Sequence, residues 1–538
     1  MNTSNPNLAR PESLFQKFQH FDVGYGRFVG AAAKEQGGGV PMMYLKDKRR
    51  LAVDASDSHS LILGASGSKK TRDVVMPTIK VLAQAGESMI INDPKSEIYQ
   101  RLASELTALD YKIITLNLRD PEKGYAWNPL AIPYRFYKQG DVDKAAEFAN
   151  DIANTLILHD ISTKDPFFDY SAYDLCLGLI LMLFKICKAM NYPDGAADIS
   201  NLLRLRRKLF ENDVMPKSSD LWKWASQDEL IAASLTGTVM TASDTRRGIL
   251  AVWDQRMRAL MLRSSLLDML ADSNFEITDI AQQKTAVFLI TPDEKTSYAP
   301  IVAMFLSQSY QQLIHSATQQ GGRLPVRVNY VLDEFSVLPA IGSDFPSMIS
   351  AARSRNIRYM ICIQSRSQLK RRYHEEADTI VANCTNWIVL FTRELDLLRE
   401  VSALCGEKRD RTPNISVYDL QHLSKEKDEA LLLSGKEKPC IVQLLDIDKL
   451  ATRDHRVVGF DTPVRSRRIS LDFSDLPEEA KPKPAAGITQ YEPPKESNPF
   501  FRSQQMSDEL KKRRAALLHT LAEGDAPQQI NKEVQNND

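Results

Sequence analysis

The sequence predicts an α/β fold in which a mainly parallel sheet, flanked by helices, is interrupted by an all-helical insertion. Three observations carry that expectation. Short aliphatic stretches alternate with helical ones over 60–116 and again over 285–444, the pattern of successive strand–helix units. Between them, over 141–280, the apolar period is helical and no strand signal appears. The strands also end in polar turns at 64–71, 93–97, 333–334 and 364, where such a sheet binds ligands outside its carboxyl ends.

Taken in order, residues 1–54 read as an N-terminal arm punctuated by Pro11, Gly24, Gly26, Gly30 and Gly37 to Gly39. It holds a short helix near 14–18 and a strand pair at 42–45 and 51–53. Residues 55–140 form the first part of the sheet domain, with strands at 60–63, 88–92 and 111–116 and helices at 71–85 and 98–109. Pro77 should bend the first helix and Gly86 end it. Residues 141–280 form the insertion, with helices at 171–188, 199–210, 219–240 and 245–269. Residues 281–470 resume the sheet with strands at 285–290, 325–332, 358–363, 387–391 and 439–444, joined by helices at 299–317, 345–353 and 396–404. Prolines at 477, 482, 484, 493 and 494 make 471–538 a linker and tail with a terminal helix over 506–521.

Composition narrows the class. Across 538 residues, 69 Lys plus Arg balance 69 Asp plus Glu, so only local patches can favour nucleic acid. The insertion offers two: Arg204, Arg206, Arg207 and Lys208, then Arg246, Arg247, Arg256 and Arg258. Solvated helix faces are the plainer reading of both. The six cysteines have neither zinc-site nor disulfide-framework spacing, which suits a reducing compartment. The N-terminus lacks a signal-peptide core, and the strongest apolar run, 175–184, is too short to span a bilayer.

The chemistry centres on 64–71. This stretch approaches G-x-x-x-x-G-K-[ST], matching at Gly64, Lys70 and Thr71 and departing at Lys69. In the template the second glycine lets backbone amides turn toward phosphates, the lysine reaches the β and γ phosphates, and the hydroxyl binds magnesium. Ala65, Ser66, Gly67 and Ser68 fill the cradle here. A lysine at 69 brings a Cβ into a glycine position, so either Lys69 adapts to the turn or the loop cradles phosphate poorly. Far downstream, the aliphatic strand at 325–332 ends in Asp333 and Glu334. Two acids there suit a cleft in which Asp333 holds magnesium through water and Glu334 orients or deprotonates an attacking water. Gln364 ends the next strand, where its amide can sense a γ phosphate.

The ordered segments GASGSKKT, MIINDPKSEIYQ, the helical stretch opened by DPFFDYSAYDL, FLITPDEKTSYAPIVAMFLSQ, VNYVLDEF, AARSRNIRYMICIQSRSQL and NCTNWIVLF resemble the VirD4/TraG coupling-protein family of conjugative and type IV secretion systems. The likeness covers roughly 55–450. It implies a RecA-like P-loop NTPase core whose two parts are 55–140 and 281–470, with an inserted all-helical domain and ATP and Mg2+ as cofactors. It assigns Lys70 and Thr71 to phosphate and magnesium, Asp333 and Glu334 to the acidic pair, and Gln364 to the strand-end glutamine. Asp93, Lys95 and Glu97 match the DPK-x-E loop, and Arg353 or Arg355 the charge supplied across a subunit interface. The implied partners are a relaxase with its relaxosome DNA, secretion-channel components and further copies forming a homo-hexamer. The implied place is the cytoplasmic face of a bacterial membrane, as a peripheral protein. Because the N-terminal membrane helices of many members are absent from the sequence, either a natural soluble variant or a subunit anchored by a separate membrane protein is implied. Two other functions are an adaptor in which Lys69 disables nucleotide binding, and a pilus-assembly or DNA-translocating ATPase of another subfamily sharing the core.

Overall fold

Residues 19–29 and 40–54 build a folded layer where the sequence suggested an arm with one strand pair. In the computed structural model, which describes residues 6–29, 37–160, 166–211, 219–292, 294–342, 344–450 and 458–473, Gly24 and Gly26 lie in a hairpin turn. Strands β1 (Gln19–Asp22) and β2 (Arg27–Val29) turn through Gly26, and β3 (Val40–Leu45) pairs with β4 (Arg50–Asp54). All pairings are antiparallel, in the order β2-β1-β4-β3. Phe21, Phe28, Met42, Met43, Leu51 and Val53 are buried in one cluster with helix Met76–Ala85, so apolar burial overrides the local breaks.

The main sheet has nine strands. These are β5 (His59–Leu63), β6 (Ser88–Asn92), β7 (Lys112–Asn117), β8 (Thr285–Ile290), β9 (Val328–Leu332), β10 (Ile357–Ile363), β11 (Cys384–Val389), β12 (Glu429–Ser434) and β13 (Cys440–Gln443). Their spatial order is β13-β12-β11-β5-β10-β9-β6-β8-β7. Every pairing from β11 to β7 is parallel, while β12 and β13 add an antiparallel edge. Strand β12 is absent from the sequence reading. Side chains alternate between two cores: Leu61, Leu63, Ile90, Ile361 and Ile363 face one, and Ile62, Met89, Ile91, Met360 and Cys362 the other.

The first of these cores is continuous with the helical segment, which connects the adjacent strands β7 and β8. Its helices are Ala131–Gln139, Val142–Ile157, Phe167–Ala189, Ile199–Leu209, Asp220–Ala225, Glu229–Val239, Ser243–Met261 and Ser264–Met269, with no strand among the described residues of this span. The side chains of Asp141, Asp198, Ser219 and Asp228 accept backbone hydrogen bonds at four of these helix starts. Trp222, Trp224, Trp253 and Phe184 fill the interior. No helix of the described residues is long and apolar enough to cross a membrane. The chain divides into two compact units, and all described residues fall in the first, Met1–Lys481. The linker beyond 473 and the helix expected at 506–521 lie outside the described residues.

Candidate functional site

The parallel sheet brings the polar strand ends together. β10 pairs with β5, β9 with β10, β6 with β9 and β8 with β6. At about 4.8 Å per strand, the turn after β5, Gln364, Asp333 and Glu334, the loop at 93–97 and the loop at 291–296 therefore follow one another along a single edge.

The turn is tightly built. A Cβ on Gly64 would lie 2.4 Å from Ser68 Oγ, and Gly67 takes φ +70°. Lys69 adopts φ +68°, the left-handed backbone that the glycine of the template supplies without strain. Its side chain leaves the cradle: Nζ meets Asp428 Oδ1 at 2.7 Å, and Asp428 also receives Lys449 at 2.8 Å. The hydrogen bond that Lys69 donates to Asp428 raises the Lys69 pKa. Lys70 Nζ donates to the carbonyls of Gly64 at 2.8 Å and Ala65 at 3.1 Å. Beyond it the chain makes a π-turn, Thr71–Val75, before the α-helix starts at Met76. Pro77 sits in the first turn of that helix, and the wider turn before it accommodates a residue with no N–H to donate.

Thr71 Oγ1 donates to Asp333 Oδ2 at 2.7 Å, joining the first strand's turn to the acidic strand end. Asn92 Nδ2 donates to the Asp333 carbonyl at 2.6 Å, and the Glu334 amide donates to Asp333 Oδ1 at 3.0 Å. Glu334 itself has φ +53°, and its Oε2 accepts from Gln364 Nε2 at 2.7 Å. Burial pushes the Asp333 carboxyl up to about 6, with Glu334 adding to the rise and the Thr71 hydrogen bond and Lys70 opposing it. A hydroxyl against a buried carboxylate is a donor set for a hydrated divalent cation. The unpartnered buried Ser68 Oγ and the lysine folded over the turn fit a phosphate chain beside it.

The other expected residues divide. Asp93 Oδ2 accepts from the Tyr99 amide at 2.8 Å, its Oδ1 is buried without a partner, and burial pushes the carboxyl up to about 7. Ser66, Lys95, Glu334 and Gln364 line a cleft of about 280 Å³, whereas Glu97 lies exposed in the first turn of helix Glu97–Ala108. Arg353 and Arg355 precede β10, at the end of the strand opposite Gln364, and do not join the cluster. Arg353 donates instead to the Asp57 carbonyl, and Arg355 to that of Ala351. In the insertion, several of the basic residues are spent internally. Arg246 is buried against the Val239 and Thr241 carbonyls, Arg206 pairs with Asp254, and Arg256 pairs with Asp169. Asn92, Lys295 and Asp428 escaped the sequence reading, since each matters only through neighbours distant in the chain.

A sequence profile of the family described as Type IV secretory system Conjugative DNA transfer matches residues 29–431. The chain belongs to this family. Within this conjugative DNA transfer family, it is 22% identical over 380 residues to the type IV secretion system-coupling protein VirD4 of Bartonella quintana. It is 21% identical over 379 residues to the protein of the same name from Bartonella henselae. Each alignment covers 69% of the chain, which spans about half the length, 55%, of these relatives. The plasmid coupling protein TrwB, solved with a non-hydrolysable ATP analogue, superposes with a TM-score of 0.52 at 15% identity, covering 86% of this chain and 99% of that one. The unbound monoclinic form of the same coupling protein gives 0.51 at 16% identity, covering 81% and 95%. At such identity the likeness shows the fold: a RecA-like core around a mostly parallel sheet.

Proposed function

We propose that the chain is a coupling-protein ATPase that binds ATP with Mg2+ and links a relaxase–DNA substrate to a type IV secretion channel. One observation carries the reading: Thr71, Asp333, Glu334 and Gln364 form a continuous hydrogen-bonded set beside Lys70 at the carboxyl ends of β5, β9 and β10. The turn amides and Lys70 would hold the phosphates, and Thr71 with Asp333 would hold the magnesium. The cation supplies charge neutralisation at the transferring phosphate. Glu334, oriented by Gln364, takes up the proton of the attacking water.

The names of the relatives and of the superposed structure support a coupling role and nucleotide binding. The adaptor alternative is disfavoured by the left-handed backbone and outward ion pair of Lys69, which leave the cradle in shape. Arg353 and Arg355 are separated from Gln364 by the whole of a seven-residue strand about 20 Å long, so they would serve a nucleotide only from a neighbouring copy, as in a hexameric ring. In this scheme 55–140 and 281–470 are the nucleotide-binding domain, 141–280 faces the DNA-processing complex, and the protein works at the cytoplasmic face of a bacterial membrane.

Calorimetric titration with ADP and magnesium tests the site. Binding should be magnesium-dependent and weaken about tenfold or more in Thr71→Ala and in Asp333→Asn. An isotherm that neither substitution alters would contradict the assignment.

A further inference from the structure

The cleft beside Glu334 and Gln364 extends past the phosphate turn, and its far wall is built by residues to which the nucleotide reading gives no role. Lys295, from the loop after β8, lines it together with Lys95. Among the described residues, neither lysine side chain makes an ion pair or hydrogen bond. The helix Ala299–Gln319 starts at the same wall, its Ala299 lining the cleft. Asn92 supplies a second, independent feature. It is 2% exposed and lines the cleft, its Nδ2 is committed to the Asp333 carbonyl, and its Oδ1 accepts nothing. A buried amide oxygen without a donor is costly and asks for a ligand that brings one.

We propose that this cleft holds the inorganic phosphate released by hydrolysis, with Lys295 and Lys95 as its cations and Asn92 as its acceptor. The proposal rests on the hydrolytic reading above. In that reaction the water oxygen bonds to the γ phosphorus and the bond from phosphorus to the ADP oxygen breaks, ADP keeping the electron pair. One water proton stays on the product as HPO4 2−, and the other passes to Glu334 and then to solvent. The γ phosphate of ATP carries no O–H at neutral pH, whereas the product carries one. An acceptor at Asn92 Oδ1 therefore favours the product over the reactant, and the two ammonium groups meet its remaining oxygens. The site takes a tetrahedral oxyanion and gives the product a place to stand once its bond to ADP is broken.

The test is calorimetric titration of the full chain with inorganic phosphate, with and without saturating ADP and magnesium. Phosphate should bind, and Lys295→Gln should weaken it at least tenfold while leaving ADP affinity unchanged. Lys295→Arg, which keeps the charge, should restore most of the binding and so rule out a folding defect. Equal phosphate affinity in wild type and Lys295→Gln, or no phosphate binding at all, would overturn the proposal. Absent ADP binding would instead contradict the nucleotide reading, and the ADP-free phosphate titration would still report on the cleft.

Discussion

At Lys69 two effects oppose each other. A side chain in the left-handed region costs on the order of 1–2 kcal/mol, yet this lysine is a partner of Asp428, a carboxylate only 3% exposed. Removing one member of a buried pair strands the other, and here Lys449 stays behind to limit the loss. Lys69→Ala keeps the backbone strain and loses the pair, so it should destabilise the protein by about 1–3 kcal/mol. Lys69→Gly loses the pair but relieves the strain, and should be more stable than Lys69→Ala by about 1 kcal/mol. Urea unfolding of both variants checks the order, and a glycine variant no more stable than the alanine one would contradict it. The strain was legible in the sequence, because the phosphate-turn template wants glycine at that position. The compensation was not, since Asp428 lies 359 residues away and comes beside the turn only through the edge hairpin. Lys70, Thr71, Asp333 and Glu334 were legible because polar groups closing aliphatic strands need a ligand. Asn92 and Lys295 look ordinary until their neighbours in space are known.

The elements show the same division. Asp198 starts helix Ile199–Leu209, accepting from the Asn201 amide at 2.7 Å, and burial pushes its carboxyl up to about 7 against the opposing pull of that hydrogen bond and of Arg468. Its folded pKa therefore lies above its unfolded value, and the folded state holds the proton more tightly. The contribution is fully present below pH 4 and is lost as pH rises through about 7. Asp198→Asn keeps a capping acceptor without the charge. Wild type should lose stability relative to this variant between about pH 4 and pH 7 in urea unfolding, and parallel pH profiles would refute the assignment. Strands β5, β6, β8 and β9 were legible because each is a short, fully buried aliphatic run. Strand β12, Glu429–Ser434, was missed because three successive leucines carry no two-residue period and sit beside a charged turn. In the N-terminal layer the β3–β4 pair was legible, whereas β1 and β2 were missed because turn glycines look the same in a hairpin and in a loose arm. The π-turn before Pro77 replaces the bend that a proline inside a helix suggests.

For the whole molecule, the sheet converts distance in sequence into contact. Thr71 and Asp333 are 262 residues apart and share a 2.7 Å hydrogen bond, because β5, β10 and β9 are successive parallel neighbours. The α/β class and the helical interruption were legible from periodicity. The strand order was not, because nothing local tells β10 to enter between the phosphate-turn strand and the acidic one. That intervening strand delivers Gln364 to Glu334, and the set of groups is complete only with it. The central claim is that these strand ends form one cleft hydrolysing ATP, and phosphate release measured with magnesium on wild type and Glu334→Gln tests it most directly. The account predicts magnesium-dependent release that falls about 100-fold or more in the variant, with ADP binding retained. A wild-type rate that Glu334→Gln leaves unchanged would contradict it.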